Sequence, residues 1–388
     1  MHSPIRSATL NTRRAITLSL PLSLLSAALL CTQPCAGADV AFGETGRLGT
    51  GRATHTAITL LDGRVLAAGG ASGSKIFSSA ELYDPTTGQW SATRNMKNAR
   101  FRHAAALLDD GRVLEVGGRG KGGAVTSVEL FDPARGSWKV TGSLAIPRAH
   151  HTATRLSDGR VLVTGGGETG AGALSSTEIY DPATGNWSDA GNMAFARFRH
   201  TATLLNDGRV LVAGGNSAAG ALASAELYDP STGTWTRAAS MGTPRFRHTA
   251  TVLFDDRVLI AAGATDTYNL DTAEIYDPTT DTWTPTGDLN ESRSSHTATL
   301  FFDGKVVVTG GEGGPRTSAE IYDPVSNIWS LSGNLATGRS AHRANLLLDG
   351  TLLVSGGYGD DGTAGSTAPY FVDHRAVAST ELGSYSTD

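Results

Sequence analysis

The chain runs to 388 residues, of which 39% are hydrophobic, 18% are charged and 48 are glycine, and 32 basic against 37 acidic residues leave a formal net charge of −5. That balance excludes the basic footprint which nucleic-acid binding needs. The glycine content stands well above the usual ~7%, and it is ordered, because it returns at fixed positions in a repeat.

Residues 1–38 read as an export leader. Arg6, Arg13 and Arg14 precede the apolar run AITLSLPLSLLSAALL, and Ala36-Gly37-Ala38 offers small residues for cleavage before Asp39. The run contains Pro21 and falls short of the ~20 apolar residues of a membrane span, so no span is expected in the mature chain. Arg13-Arg14 fits twin-arginine export, although the AITL that follows departs from that pattern. Leu30 stands where lipid attachment to Cys31 wants a small residue. Removal of the leader takes three arginines and no acid, so the mature charge is 29 minus 37, or −8. It also takes both cysteines, Cys31 and Cys35, leaving no thiol for a disulfide, a metal or a nucleophile. The expected location is secreted or periplasmic.

From residue 40 onward one unit returns seven times. R-x-x-H segments end at His55, His103, His151, His200, His248, His296 and His342, and Asp-Pro pairs at Asp84, Asp132, Asp181, Asp229, Asp277 and Asp323 are spaced by 46 to 49 residues. Within a unit, HTATLL and RVLVAGG are short aliphatic runs joined by Asp-Gly, the dipeptide of a tight hairpin. AELYDP follows a variable loop and is stopped by its proline, and a Trp-led segment completes the unit. Four short antiparallel strands make a propeller blade. The expected fold is therefore all-β, a seven-bladed β-propeller of four-stranded blades over residues 39–375. All six tryptophans, Trp90, Trp138, Trp187, Trp235, Trp283 and Trp329, hold one equivalent slot and read as packing between blades, as do the tyrosines of YDP.

The seventh unit loses the Trp-led strand after Gly356-Gly357. Aligned on its histidine, VAFGETGRLGTGRATH puts Phe42 where other units have Trp. The N-terminal strand is expected to close the ring as the outer strand of blade seven, with residues 376–388 as a C-terminal tail or an extra, competing outer strand. A closed ring gives no reason for association, so a monomer is expected.

The double glycine, the downstream Tyr and Trp and the R-x-x-H lead-in make residues 40–375 resemble the Kelch-repeat β-propeller family. The resemblance implies the fold and leaves function open, because Kelch propellers include protein-binding modules, a sialic-acid epimerase and copper-radical oxidases such as galactose oxidase. For the oxidases it implies a tyrosine cross-linked to cysteine with further Tyr and His copper ligands. A chain without cysteine after residue 38 disfavours that chemistry, and no cofactor or metal is expected.

RFRH occurs at residues 100–103, 197–200 and 245–248. Its first arginine recurs in all seven units, as Arg52, Arg100, Arg148, Arg197, Arg245, Arg293 and Arg339, and so does its histidine. Equivalent groups around a ring read as scaffold. Each arginine is expected to pair with the periodic glutamate of AELYDP (Glu81, Glu129, Glu178, Glu226, Glu274, Glu320), and each histidine with backbone.

The position before the histidine varies: Thr54, Arg102, His150, Arg199, Arg247, Ser295, Ala341. Strand alternation puts these lead-ins on the same face as the long variable loops, with the Asp-Gly and Asp-Pro turns opposite, and variable loops on a rigid ring are where binding is built. Arg102, His150, Arg199 and Arg247, with Phe101, Phe198 and Phe246, form the candidate ligand-binding funnel, suited to a carboxylated sugar or an acidic peptide. Recent duplication of blades two, four and five, with the arginines merely solvated, is the alternative. The expected function is an exported binding module for a carbohydrate or protein ligand, an acidic one included. An epimerase acting on a sialic-acid-like sugar is the rival, with His150, Glu168, Glu312 and Arg316 within reach for acid–base work. Asp360 and Asp361 in GYGDDG lack the alternating spacing of a calcium loop and read as solvated.

Overall fold

The computed structural model describes residues 39–168, 172–313, 317–359 and 375–386. The leader with its cysteines, Arg316, Asp360, Asp361 and the Glu168 side chain lie outside the described residues. Seven antiparallel sheets succeed one another as the blades of a β-propeller, each of four strands, with a short extra strand, Gly167–Glu168, added in blade three. Blade one is typical: its strands are Thr56–Thr59, Val65–Ala68, Ala80–Asp84 and Gln89–Ala92, paired in sequence order. The second strand of each blade is wholly buried, and the innermost strands are neighbours around a complete circle that encloses an axial channel.

The turns follow from their residues. Gly63 takes φ +85° in the Asp-Gly turn. Asp84 Oδ1 accepts the Thr86 N–H at 2.9 Å, and Gly88 N donates to Asp84 O at 2.8 Å, so the Asp-Pro turn closes on its own aspartate. The double glycine has an inter-blade purpose. A Cβ on Gly214 would lie 2.5 Å from Arg245 O and 2.7 Å from the His248 ring, and Gly215 N donates to Arg245 O at 2.8 Å. Each Gly-Gly thus receives the R-x-x-H segment of the next blade.

The aromatic slots work as expected, with one difference. The Trp138, Trp187, Trp235 and Trp283 indoles donate to Arg94 O, Gly142 O, Ala190 O and Ala239 O of the preceding blade at 2.7–3.0 Å. Tyr83, Tyr180, Tyr228, Tyr276, Tyr322 and Phe131 are buried at the same interfaces, but among the tryptophans only Trp329 is fully buried. The outer strand is the rim of the disc, so one indole edge stays in water.

Blade seven is built from both ends of the chain. Its strands are Arg343–Leu346, Leu352–Ser355, Thr380–Ser386 and Asp39–Glu44. The N-terminal strand closes the ring, and Phe42 opposite Gly383 takes the place of the Trp–Tyr pair of the other blades. The C-terminal segment corrects its expected role. It is neither tail nor outer strand but the third strand, lying between the second strand and the N-terminal one, so the propeller extends to Ser386.

Candidate functional site

RFRH contains two arginines with opposite roles. The first is fully buried in RFRH and in six of the seven blades overall, Arg293 differing at only 2% exposure. Arg197 shows the pattern: Nη1 donates to Gly214 O and Ser224 O at 2.7 and 2.9 Å, and Nη2 to Ser224 Oγ and Glu226 Oε1 at 3.1 and 2.7 Å. The six expected Arg–Glu pairs form at 2.6–2.8 Å, and a seventh joins Arg339 to Glu381 at 2.5 Å. Each glutamate also receives the chain that links the blades, as when Glu226 accepts the Ala194 and Phe195 N–H groups at 2.6 and 3.2 Å. Burial lowers the pKa of Arg197 and the Glu226 charge opposes it, so the clasp stays an ion pair.

Five of the seven histidines bond to side chains rather than to the expected backbone; His55 and His151 have no side-chain partner. Nε2 of His248, His296 and His342 lies 3.0 Å from the hydroxyl of Thr201, Thr249 and Thr297, the first residue of the neighbouring innermost strand. His200 reaches Thr164 at 2.9 Å, and His103 reaches Thr56 at 3.3 Å and Glu115 at 3.1 Å. Distributed over separate interfaces, these imidazoles do not converge, and among the described residues no three His, Cys, Asp or Glu side chains gather to hold a metal ion.

The variable position is the unexpected part of the geometry. Thr54, Arg102, His150, Arg199, Arg247, Ser295 and Ala341 all have φ between 51° and 57°, the left-handed region that non-glycine residues seldom enter. There each residue turns its N–H to one neighbouring blade and its C=O to the other. The result is a closed circle of seven hydrogen bonds of 2.9–3.1 Å, from Arg102 N to Thr54 O, from His150 N to Arg102 O, and so on to Thr54 N and Ala341 O. The circle offsets the backbone strain and sets these seven side chains around the channel mouth.

All seven funnel residues come together on one arc of that mouth. The Arg102 guanidinium carbon lies 5.1 Å from the Phe101 ring centre, Arg199 lies 5.3 Å from Phe198 and 6.0 Å from Phe246, and Arg247 lies 6.0 Å from Phe246. These are cation–π distances. The His150 and Phe198 rings are 6.2 Å apart. Burial and the charges of Arg199, Arg102 and Arg247 hold the His150 pKa well below the usual histidine range, so it is neutral at pH 7. Arg247 Nη1 also donates to Glu312 Oε2 at 2.9 Å.

The phenylalanines therefore differ from their expected use. Phe101 is buried, and all three rings support guanidinium groups instead of offering open faces to a sugar. Each also bridges to the first residue of a variable loop, Phe101 to Arg119, Phe198 to Asn216 and Phe246 to Ala264. Sequence reasoning missed Arg119 and Asp266, whose carboxylate accepts the Ala221 N–H at 3.0 Å from the neighbouring loop. The only signal for either was a charged residue in a glycine-rich or polar loop.

A family model of the KLHDC2/KLHL20/DRC7 Kelch-repeats domain matches residues 102–311, and a Kelch motif model matches residues 52–97 and 293–335. The chain belongs to the Kelch-repeat family. Kelch propellers generally mediate protein binding, and the fold of this Kelch-repeat protein is that of a binding and interaction module. No curated protein matches it. Among solved structures it is similar to a novel fungal alcohol oxidase of the AA5 family in complex with copper, at 18% identity and a TM-score of 0.71 over 89% of this chain and 76% of that one. It is also similar to YjhT, at 15% identity and a TM-score of 0.58 over 74% of this chain and 99% of that one. These likenesses concern the fold alone. Copper chemistry through a cysteine-linked tyrosine does not fit this Kelch-repeat chain, because the described residues contain no cysteine.

Proposed function

We propose that this Kelch-repeat propeller is an exported binding module whose mouth recognises a carboxylate on a sugar or on an acidic protein segment. The observation that carries the reading is the unbroken arc of Arg102, His150, Arg199 and Arg247 on the circle of hydrogen bonds at the channel mouth. Guanidinium groups take carboxylates bidentately, and here the aromatic supports and the rigid circle hold them in place before a ligand arrives. Engagement of the phenylalanine rings favours charge recognition over sugar stacking. Export rests on the basic, apolar and small-residue order of residues 1–38. The epimerase reading would require His150 or Glu312 to move a proton. The Glu312 carboxylate is bonded to Arg247, which supports binding rather than turnover.

A paired panel tests the reading: glucuronate against glucose, and a glutamate-rich peptide against its glutamine counterpart, each titrated at low and raised salt. The charged member of at least one pair is expected to bind about tenfold or more tightly, with affinity falling as salt rises. Equal binding of charged and neutral members, or none by any of the four, contradicts it.

A further inference from the structure

Two residues break the repeat, one lining the axial channel and one buried behind its wall, away from the basic arc of the mouth. The third residue of the second strand is Ala67, Val163, Val212, Ile260, Val308 or Val354 in six blades and Glu115 in blade two. The first residue of the innermost strand is threonine or alanine in six blades and Arg343 in blade seven.

The two charges differ in access to the channel. Glu115 is wholly buried: Oε1 accepts the Thr56 hydroxyl at 2.7 Å, and Oε2 lies 3.1 Å from His103 Nε2 without a hydrogen bond. Arg343 has five N–H donors and, among the described residues, makes one hydrogen bond, from Nη1 to His342 O at 3.1 Å. Burial lowers its pKa while the Glu115 charge holds it up, so the guanidinium stays charged at a distance from its counter-ion.

Arg343 also displaces an acceptor. At the corresponding interfaces the histidine meets a threonine hydroxyl, as His103 meets Thr56 and His248 meets Thr201. Where blade seven meets blade one that threonine is Arg343, and His55 is fully buried with neither ring nitrogen hydrogen-bonded. A neutral imidazole still carries one N–H. The half-buried Arg343 guanidinium thus lines the channel beside the orphaned His55 ring with most of its donors unmet by the described residues; His151, opposite Ala104, is orphaned in the same way without a neighbouring charge of this kind. The channel section here has a volume of about 390 Å³, with Arg343, Thr56, Thr152 and Thr201 among the side chains that line it and alanines between them.

We propose that this section is a second binding site, for a small aliphatic carboxylate whose oxygens take the Arg343 guanidinium while its short chain lies against the alanine and threonine wall. An anion is the matching guest because Arg343 lines the channel with one protein acceptor, whereas Glu115 is wholly buried and is not among the residues that line it. Glu115 balances Arg343 without competing at hydrogen-bond range. The section is lined by the innermost strands of blades one to five and seven, but its guanidinium is on blade seven, so the group that takes the carboxylate is separate from the three arginines of the mouth on blades two, four and five.

Calorimetric titration of the full chain with butyrate, and with n-butylammonium as the cation of matched size, decides it. Butyrate is expected to bind saturably and butylammonium not at all. Arg343→Thr, which installs the residue of five other blades, is expected to weaken butyrate about tenfold or more. The double variant Arg343→Thr/Glu115→Val removes both charges, restores the repeat pattern and is expected to be folded and unable to bind. Arg102→Ala/Arg199→Ala/Arg247→Ala is expected to bind butyrate in the channel as the unaltered chain does. Absence of saturable butyrate binding, retention of it in the double variant, or equal binding of butylammonium would overturn the proposal.

Discussion

Arg197→Ala is expected to cost about 3–5 kcal/mol of stability, while Arg199→Ala, two residues further along the same RFRH segment, is expected to cost less than about 1 kcal/mol. The first substitution leaves Glu226, which is 1% exposed, without its cation and deprives Gly214 O and Ser224 O of their donor. A buried charge stripped of its partner costs more than the pair was worth, because its desolvation is no longer offset. Substituting the pair by apolar residues is not expected to restore stability here, since Glu226 also accepts the Ala194 and Phe195 N–H groups of the inter-blade link. Arg199 contributes its backbone to the circle at the mouth, and that contribution survives in alanine. Urea or thermal unfolding of the two variants checks the contrast. Equal losses would mean that the two arginines do not divide into scaffold and surface.

Acid is expected to unfold the protein well above the range in which carboxylates titrate. His55, His103, His151, His200, His248, His296 and His342, and His150 at the mouth, all have pKa values lowered by burial, to about 3 for His151 and His248. Unfolded, each returns to about 6.5. Between those limits the unfolded chain binds protons that the folded chain refuses, so stability rises with pH across the window and levels off above about 6.5. Within the window each imidazole removes about 1.4 kcal/mol per pH unit of acidification. The seven whose pKa lies far below 6.5, His103 being less shifted beside Glu115, together exceed the whole stability of an ordinary domain within two units. The melting temperature is expected to be flat from pH 8 to 7 and to drop steeply from pH 6 to 5, with uptake of several protons on unfolding. A level profile down to pH 5 would contradict the burial of neutral histidines at every interface.

The scaffold was legible because it is periodic. Arg52, Arg100 and their equivalents recur in step with Glu81, Glu129 and theirs, and residues that recur in step on facing strands of a blade meet. The seventh partner, Glu381, was not found, because TELGSYS lacks the Tyr-Asp-Pro ending and is separated from Gly357 by more than twenty residues. Its surviving trace was the Glu-Leu pair shared with AELYDP. The left-handed backbone at the mouth left almost no trace, since arginine, threonine, serine and alanine, which fill six of the seven positions, carry none of the preference for φ above zero that would flag it. The supporting role of Phe101, Phe198 and Phe246 was likewise hidden, because a phenylalanine beside an arginine spells the same sequence whether its ring faces solvent or a guanidinium. Glu115 and Arg343, in contrast, were visible as charged residues in columns otherwise filled by small or aliphatic ones.

Recognition at the mouth rests on three arginines, and one titration isolates them. The tightest ligand from the charged and neutral pairs is titrated into the full chain and into Arg102→Ala/Arg199→Ala/Arg247→Ala, with melting curves recorded on both. The expected result is a melting temperature changed by no more than a few degrees and affinity reduced about a hundredfold or more, the sum of two or more charge-assisted contacts. A variant that melts normally and binds as the unaltered chain does would show the arc to be a by-product of duplicated blades, with recognition elsewhere on the ring.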